Sequence, residues 1–593
     1  ATGQWRPAEQ PLMTRWAKDV SPDKVHPEYP RPQMARAAWQ NLNGLWQYAV
    51  VPRGEDRPEA FQGDILVPFP IESALSGVKR TVGQDNRLWY RRTFEVPESW
   101  QGQRVLLHFG AVDWETTVWV NGTEVGTHRG GYDPFSFDIT DALKPEFPQE
   151  VVVAVFDPTD GEKDRPSWQP RGKQVNTPRG IWYTAVTGIW QTVWLEPVPA
   201  ASLRGLKIVP DVDQSTVTIH ANVVGAAKAS DLSVKVVALD GEFSLAALAV
   251  GPADKPLVLR LVEPKLWSPN RPFLYRLKVS LISANEQIDE VDSYFGMRKI
   301  ALGKDHNGVV RMMLNNEPVF QYGFLDQGWW PDGLYTAPTD EALRYDLEVT
   351  KKIGMNLIRK HVKVEPARWY HHCDVLGLLV WQDMPNGDRH IRGNDPDLVR
   401  SKESADNFRA ELKAMIDMAH NSPAIVMWVP FNEGWGQFDT ERITNWIKQY
   451  DPTRLVNSAS GWTDRGTGDV NDIHKYIGPA MAPLEPKRAV VLGEFGGLGL
   501  PLEGHTWQID KKWGYQTLQT REQLAEGYRN LMIKLRPLVE KGLSAAVYTQ
   551  TTDVEGEVNG LMTYDREILK IDEAELRKMH EPLYAPADGS KPH

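Results

Sequence analysis

The stretch Ile-Val-Met-Trp-Val-Pro-Phe-Asn-Glu-Gly at residues 425–434 is an apolar run that ends in an amide and a carboxylate. A second stretch, Val-Val-Leu-Gly-Glu-Phe-Gly-Gly at residues 490–497, has the same plan. Short apolar runs of this length predict strands buried on both faces, as in a parallel sheet covered by helices. An ionisable residue beside such a strand is costly unless it is paired or hydrogen-bonded. The two stretches therefore predict a buried parallel sheet and mark Glu433 and Glu494 as candidate reacting groups.

From residue 303 onward, short apolar strands alternate with segments of helical spacing, which predicts parallel β/α units. Eight strands between residues 303 and 593 match the size of a (β/α)8 TIM barrel. Glu433 then follows strand four and Glu494 ends strand seven. The stretch of chain between these two glutamates is short for three β/α units. We therefore expect a loop in place of at least one helix, after strand five or six. The predicted strands are 319–324, 356–359, 378–382, 425–431, 454–458, 472–474, 490–493 and 545–550.

The part of the chain before the predicted barrel is rich in short alternating strands. Residues 37–198 contain such strands broken by Gly and Pro, with Asn121-Gly122 as a hairpin turn, and this predicts a jelly-roll sandwich. Residues 199–302 alternate in the same way over about one hundred positions, which fits an immunoglobulin-like sandwich without a cysteine pair. The predicted domains are 1–198 with an N-terminal extension, 199–302, and 303–593.

Composition excludes several classes of partner and leaves the location open. The 78 acidic and 67 basic residues are spread along the chain and give a net charge of −11, without the basic stripe that nucleic acid requires. No run reaches the roughly 18 apolar residues of a membrane-spanning helix, so no membrane partner is expected. The single cysteine, Cys373, predicts a buried thiol in a helix. Because position 1 is Ala, we expect a periplasmic or secreted protein, with a cytoplasmic one as the alternative.

Two glutamates at the strand ends of one barrel suit the hydrolysis of an acetal. One carboxylic acid protonates the leaving oxygen while a carboxylate faces the anomeric carbon. At a separation of about 5 to 5.5 Å the second group acts as a nucleophile and the anomeric configuration is retained. Strands four and seven face each other across a barrel mouth, so Glu433 and Glu494 are predicted to meet at this distance.

Short motifs in a shared order make the chain resemble glycoside hydrolase family 2, the family of β-galactosidases, β-glucuronidases and β-mannosidases. They are Leu42-Asn43-Gly44-Leu45-Trp46, Trp89-Tyr90-Arg91-Arg92, Val118-Trp119-Val120-Asn121-Gly122, Gly188-Ile189-Trp190-Gln191, Leu266-Trp267-Ser268-Pro269, Phe295-Gly296-Met297-Arg298, Leu314-Asn315-Asn316-Glu317-Pro318 and Gly354-Met355-Asn356-Leu357-Ile358-Arg359. The resemblance implies that Glu433 is the acid/base, Glu494 the nucleophile and Asn432 the partner of the substrate 2-hydroxyl. It also implies the jelly roll, immunoglobulin-like sandwich and barrel.

Further candidates lie near the ends of other predicted strands. The resemblance implies that Tyr476 bonds to the nucleophile, with His474 close by, and that Arg359 and His361 lie near the sugar. The run Arg-Lys-His-Val-Lys at 359–363 departs from the family pattern, because the histidine is displaced by one position. Loop packing is the alternative for each of the remaining pocket candidates. These are Asp326, Trp329, Trp330, Asp383, Trp435, Tyr548 and Asp553.

The sugar is less well determined than the reaction. A β-galactoside is the first choice because that activity is the commonest in the family, an association rather than a mechanism. Family β-glucuronidases carry Asn-x-Lys after strand eight, whereas residues 559–561 here are Asn-Gly-Leu. A carboxylate site could still come from Lys360, Lys363, Arg389 or Arg392. An arabinopyranoside is a further alternative.

Other readings of the same residues stay open. A transglycosylase would use the same two glutamates, and a non-catalytic carbohydrate-binding protein would keep the fold without turnover. No metal site follows from the spacing of Asp and His, and no cofactor is required. The resemblance is compatible with bound Mg, Na or Ca and with a homo-oligomer.

Overall fold

A computed structural model describes residues 5–145, 148–161, 168–225, 231–508 and 512–584. The first domain packs a six-stranded sheet against a four-stranded sheet, with strand orders β3-β2-β4-β10-β7-β8 and β1-β14-β5-β9. Its strands are β1 (Gln40–Asn41), β2 (Gly44–Pro52), β3 (Gly63–Val67), β4 (Asn86–Phe94), β5 (Arg104–Phe109), β6 (Val112–Asp113), β7 (Glu115–Val120), β8 (Thr123–Arg129), β9 (Phe135–Asp138), β10 (Gln149–Phe156), β11 (Gln174–Val175), β12 (Tyr183–Thr184), β13 (Gly188–Ile189) and β14 (Val193–Val198). Short 3-10 helices lie at Arg15–Asp19, Pro32–Met34, Glu98–Trp100 and Thr140–Ala142.

The predicted hairpin of the first domain forms at Asn121-Gly122. Both residues have positive φ, +50° and +83°, which a tight type I′ connection between β7 and β8 requires. Alternate residues of β10, among them Val151, Val153 and Val155, are fully buried between the two sheets. Burial of one face of each sheet is the main contribution to stability of this sandwich.

The second domain is a smaller sandwich whose two sheets have the orders β15-β16-β19 and β18-β17-β22-β23. Paired strands meet antiparallel throughout, and their inward residues form one continuous core. This arrangement confirms the predicted immunoglobulin-like fold class. Its strands are β15 (Ser202–Asp211), β16 (Thr216–Val224), β17 (Ser233–Asp240), β18 (Ser244–Pro252), β19 (Leu257–Arg260), β20 (Trp267–Ser268), β21 (Arg271–Pro272), β22 (Tyr275–Ser283) and β23 (Glu286–Phe295).

The third part is a parallel eight-stranded sheet in the order β31-β30-β29-β28-β27-β36-β33-β32, which confirms the predicted barrel. The barrel is not closed by a ladder between β31 and β32, where Asp469 instead bonds to both backbone groups of Val456. The strands are β24 (Ile300–Lys304), β25 (Val310–Leu314), β26 (Glu317–Pro318), β27 (Gln321–Asp326), β28 (Leu357–Lys360), β29 (Leu379–Asp383), β30 (Ile425–Val429), β31 (Leu455–Val456), β32 (Val470–Lys475), β33 (Ala489–Gly496), β34 (Leu498–Gly499), β35 (Gln516–Thr517) and β36 (Leu543–Thr549).

Helices cover the outside of the barrel except after strands five and six, where the sequence predicted a loop in place of at least one helix. The segments 457–469, between β31 and β32, and 476–488, between β32 and β33, are described throughout and contain no helix. No helix in the described ranges is long and apolar enough to cross a membrane. Cys373 is buried in the second barrel helix, as expected. The helices are α1 (Asp340–Lys352), α2 (Ala367–Leu376), α3 (Lys402–Ala419), α4 (Thr440–Tyr450), α5 (Arg521–Lys541) and α6 (Glu573–His580), followed by a 3-10 helix at Glu581–Leu583.

A segment of the first domain lies across the mouth of the barrel. We call residues 168–184 the bridging segment. The backbone N–H groups of Arg171 and Gly172 donate to the carbonyl of Asn386, at 3.0 and 3.1 Å, in the loop after β29. At its other end, the backbone N–H of Thr184 donates to Glu555 at 3.0 Å, in the loop after β36. The jelly roll therefore supplies part of the wall of whatever pocket the barrel mouth forms.

Candidate active site

Glu433 lies in a tight turn at the carboxyl end of β30. The backbone N–H of Trp435 donates to the carbonyl of Asn432 at 2.9 Å, and the two central residues, Glu433 and Gly434, have φ of +53° and +71°. Such values are unfavourable for a residue with a side chain and recur at functional sites. The Glu433 N–H also donates to the carbonyl of Ser460 at 2.8 Å, which fixes the turn against the next β/α unit.

Glu494 lies within β33 and is almost completely buried, with 4% of its surface exposed. The preceding Gly493 bonds through its N–H to Asp472 at 2.6 Å, and a Cβ at this position would lie 2.2 Å from the same carboxylate. Only glycine allows this approach. The Glu494 carboxylate accepts hydrogen bonds from Arg359, at 3.4 Å, and from the hydroxyl of Tyr476.

His474, in β32, joins the two glutamates. Its Nδ1 lies 2.8 Å from Glu433 Oε1 and 3.7 Å from Glu494 Oε2, and one carboxylate oxygen of each glutamate lies within 4.8 Å of the other. The other ring nitrogen, Nε2, lies 2.7 Å from the hydroxyl of Ser460, which in turn donates to Asp472 at 2.6 Å. The two glutamates therefore share one small site, as the sequence predicted for strands four and seven.

The electrostatics of this site place a proton between Glu433 and His474. Burial would raise the pKa of Glu433, but the hydrogen bond and charge of His474 outweigh it and lower this pKa to about 2. Burial opposes a charge on His474, yet the carboxylates of Glu494 and Glu433 raise its pKa above the ordinary value of 6.5. When the pair holds one proton, that proton resides on His474, as an imidazolium hydrogen-bonded to the Glu433 carboxylate.

Arg359, in β28, connects Glu494 to a second group of polar side chains. It is fully buried and makes two 3.0 Å hydrogen bonds to Asp383 and one of 2.8 Å to Oδ1 of Asn432. Nδ1 of His361 lies 2.8 Å from a carboxylate oxygen of Asp383. Burial lowers the pKa of that histidine. Arg359, Asn432, Asp383 and His361 thus form one network that touches Glu494.

The structure does not bring every predicted residue into this cluster. Tyr548 is fully buried, and its ring contacts Phe324, Phe495 and Tyr528, the last of which lies on α5. It therefore packs between the barrel and its helices rather than in the mouth. Asp326 is also buried and is bonded by Lys360 at 2.8 Å and by the N–H of Gly328 at 2.9 Å.

Four other candidates differ in position: Trp435 and Asp553 lie at the mouth or beside it, whereas Trp329 and Trp330 do not. Trp435 contacts Trp182 of the bridging segment edge-to-face, with ring centroids 5.0 Å apart, and stacks on His390 at 5.8 Å. Asp553 is paired with Lys570 at 2.7 Å. Trp329 and Trp330 pack in the core against aromatic residues of the N-terminal part, Tyr183 and Trp16.

Several residues at the mouth were not predicted from the sequence. Lys173, Trp182 and Tyr183 come from the bridging segment, and the Tyr183 hydroxyl donates to the buried carboxylate of Glu557 in the loop after β36. Tyr515 stacks on Tyr476, with ring centroids 3.5 Å apart, and Trp513 meets Tyr515 edge-to-face at 4.6 Å. The aromatic pair in Trp513-Gly514-Tyr515 could have been noticed, whereas the contribution of the first domain depends on domain packing.

One group of metal-capable side chains is found within the described ranges. It comprises Glu433, His474 and Glu494, whose nearest ligand atoms lie within 4.8 Å of one another. The Nδ1 atom of His474 is already committed to the hydrogen bond with Glu433. A nitrogen that carries a proton cannot at the same time ligate a metal. The donor set therefore fits a proton-holding cluster better than a resident ion.

Three family models match consecutive parts of the chain. Residues 65–196 match the sugar binding domain of glycosyl hydrolases family 2, residues 201–298 match a second family 2 domain, and residues 297–481 match the family 2 TIM barrel domain. Glu433 lies within the last match and Glu494 lies beyond its end. Together the three models follow the same domain order as the structure.

Known proteins of two activities are similar to this chain. A β-galactosidase of Thermoanaerobacter pseudethanolicus is 29% identical over 425 residues, which are 69% of this chain and 53% of that protein. A β-glucuronidase of Paenibacillus borealis is 24% identical over 453 residues, 72% of this chain and 73% of that protein. The solved β-D-glucuronidase of Dictyoglomus thermophilum superposes with a TM-score of 0.73 at 17% identity, covering 93% of this chain and 98% of that one. The chain spans only about half the length of the Thermoanaerobacter relative.

Proposed function

Because this chain belongs to glycoside hydrolase family 2, we propose that it is a retaining, exo-acting β-glycosidase that uses Glu433 as acid/base and Glu494 as nucleophile. The observation that carries the proposal is the approach of the two carboxylates, one oxygen of each lying within 4.8 Å of the other. Retaining enzymes hold their carboxyl groups about 5 to 5.5 Å apart, whereas inverting enzymes need room for a water between them, about 6.5 to 9.5 Å.

In the first step a carboxylate oxygen of Glu494 attacks the anomeric carbon and the bond to the leaving oxygen breaks. Glu433 takes the proton of His474 Nδ1, 2.8 Å away, and gives it to that oxygen, so that Glu433 remains a carboxylate and His474 becomes neutral. As Glu494 forms its ester bond it loses the negative charge that raises the pKa of His474. Release of the His474 proton therefore becomes easier at the moment when the leaving group needs it.

The second step reverses these roles. Glu433, again a carboxylate, takes a proton from water and passes it to His474, while the water oxygen attacks the anomeric carbon and Glu494 leaves. The product keeps its anomeric configuration and the three side chains return to their starting charges. Arg359 holds Oδ1 of Asn432, so the Asn432 amide nitrogen is the group available to donate to the sugar 2-hydroxyl.

The bridging segment supports exo action because it closes one side of the barrel mouth, from Asn386 to Glu555. Such a wall favours binding of a chain end over binding of a chain interior. For the terminal sugar, β-galactoside stays the sequence-based prediction, with β-glucuronide and arabinopyranoside as alternatives. Curated relatives at comparable identity include both a β-galactosidase and a β-glucuronidase.

The proposal is tested by a panel of nitrophenyl glycosides of galactose, glucuronic acid, glucose, mannose, xylose and both ring forms of arabinose. We expect turnover of at least one β-glycoside, with the β-anomer of the free sugar as the first product seen by proton NMR. First appearance of the α-anomer would mean inversion and would contradict the double displacement. A panel at high acceptor concentration separates hydrolysis from transglycosylation.

Replacement of His474 by Asn is expected to move the alkaline limb of the pH profile of kcat/KM to lower pH. In the wild type this limb reports loss of the proton held by the Glu433–His474 pair, above pH 6.5 because the carboxylates raise the pKa of His474. In the variant the proton resides on Glu433 alone. We also expect kcat/KM at the optimum to fall by roughly tenfold, less than removal of the acid itself.

The control for this measurement is His390→Asn, at a rim histidine that stacks on Trp435 and has no hydrogen bond to either glutamate among the described contacts. Its profile should keep the wild-type alkaline limb. An unchanged limb in a folded His474→Asn variant would show that His474 does not store the proton.

A further inference from the structure

Lys173 is held in place at the barrel mouth by contacts on both sides of its backbone. Its carbonyl accepts from the N–H of Tyr183 at 2.9 Å, and the next residue begins the parallel pairing of β11 with β12. On the other side, Gly172 has φ of +63° and lies so close to the barrel that a Cβ would meet the carbonyl of Val362 at 2.6 Å. The backbone of Lys173 is therefore fixed by both domains.

The ammonium of Lys173 has no acceptor among the residues that the structure describes. The residue is only 7% exposed, yet in the described ranges its Nζ makes neither a hydrogen bond nor an ion pair. The contact that the structure shows is with the face of Trp182, 5.3 Å from the ring centroid. A ligand that brings an acceptor would pair with this cation among largely buried groups, where a charge-assisted hydrogen bond is strong.

The charge of Lys173 acts on groups from several loops of the mouth. Burial raises the pKa of Glu557, and the Lys173 charge opposes that rise. Burial lowers the pKa of His361 and of His390, and Lys173 adds to both effects. Glu557 forms no ion pair with Lys173 in the described ranges, and its two oxygens accept from Tyr183 and Asn559. The ammonium thus lies among side chains from several loops of the mouth.

The four cations that the sequence predicted as binders of a sugar carboxylate either already have acceptors or lie at the protein surface. Lys360 bonds to Asp326 and Glu365, each at 2.8 Å, and Lys363 bonds to two carbonyls and Glu365. Arg389 and Arg392 are exposed at the surface. Among Lys173 and these four cations, Lys173 alone is buried and has no acceptor in the described part of the chain.

We propose that Lys173 binds the carboxylate of a terminal hexuronic acid and so makes this enzyme prefer an acidic sugar. This inference rests on the proposed function, and it favours a β-glucuronide over a β-galactoside. A single ammonium is a point charge that matches one carboxylate oxygen. A more highly charged group such as a phosphate would be repelled by Glu433, Glu494 and the other acids of the mouth. The segment that determines specificity for the sugar then belongs to the jelly roll rather than to the barrel.

The test compares nitrophenyl β-D-glucuronide with nitrophenyl β-D-galactoside in the wild type and in Lys173→Met. We expect the wild type to prefer the glucuronide, and the ratio of the two kcat/KM values to fall by roughly 10²-fold in the variant, as for loss of one partner of a buried charge pair. Lys173→Arg should recover part of the ratio. Arg179→Met removes a charge from an exposed position of the bridging segment and should leave the ratio unchanged.

A binding measurement separates failure of this inference from failure of the proposed function. By calorimetry, D-glucuronate should bind more weakly to Lys173→Met than to the wild type, by at least roughly tenfold. If Lys173→Met leaves the ratio unchanged, or if the wild type hydrolyses the neutral sugar alone, the role of Lys173 is overturned. The proposed glycosidase function stands in either case. Absence of all hydrolysis overturns the glycosidase, and equal binding of D-glucuronate by both proteins then overturns the inference as well.

Discussion

Glu494→Gln is expected to lower kcat by roughly 10⁴- to 10⁶-fold on every glycoside that the wild type hydrolyses, as removal of a covalent nucleophile does in other enzymes. The amide cannot attack the anomeric carbon, although its size allows it to remain between Arg359 and Tyr476. The loss should be similar for good and poor leaving groups, because no covalent intermediate forms with either. Steady-state kinetics with a series of nitrophenyl glycosides measures it.

Two further measurements separate the loss of the nucleophile from general damage. In Glu494→Ala, added azide should enter the vacated space and attack from the face that Glu494 used, so that an α-glycosyl azide forms. The control Asp553→Asn removes another buried carboxylate near the mouth, one paired with Lys570. It should lower thermal stability with much less effect on kcat. Equally little turnover by wild type and Glu494→Gln across the whole panel would instead support a carbohydrate-binding protein.

The barrel could be predicted because each of its strands is a separate local signal. Glu433 and Glu494 follow or end apolar runs, and the rules of parallel barrels place all such ends at one mouth. The same reasoning predicted a missing helix after strand five or six, and the structure has loops at both places. Asn121-Gly122 determined a hairpin by itself, since both residues accept positive φ.

The direction of a side chain in such a strand could not be predicted in the same way. In β36 every residue is buried, so the sequence shows no alternation that tells the inside of the barrel from the outside. Ala545 and Val547 pack with one core, while Ala546 and Tyr548 pack with the core under α5. A shift of one residue would have turned Tyr548 toward the mouth.

The bridging segment shows a second limit, which is distance along the chain. Lys173 and Trp182 precede Glu433 by more than the length of the second domain, and their position depends on how the jelly roll meets the barrel. Their neighbours, Arg-Gly-Lys-Gln at 171–174, carry no catalytic motif. Contacts such as those of Arg171 and Gly172 with Asn386 exist only after both domains have folded.

Glu433→Gln is expected to show a loss that depends on the leaving group, unlike Glu494→Gln. General acid catalysis contributes roughly 10²- to 10⁴-fold, and a glycoside with a poor alkoxide leaving group should lose all of it. A dinitrophenyl glycoside needs no proton to depart, so its first step should be nearly unaffected. The second step still lacks its base, and the glycosyl-enzyme should accumulate as a burst of dinitrophenol. Stopped-flow absorbance measures that burst.

Azide then distinguishes this variant from the nucleophile variant by stereochemistry. In Glu433→Ala the intermediate on Glu494 is intact, so azide can attack only from the opposite face and should release a β-glycosyl azide. The two carboxylates would thus give azides of opposite configuration from one substrate, because they flank the same anomeric carbon. An α-azide from Glu433→Ala, or a loss independent of the leaving group, would require the two assignments to be exchanged or abandoned.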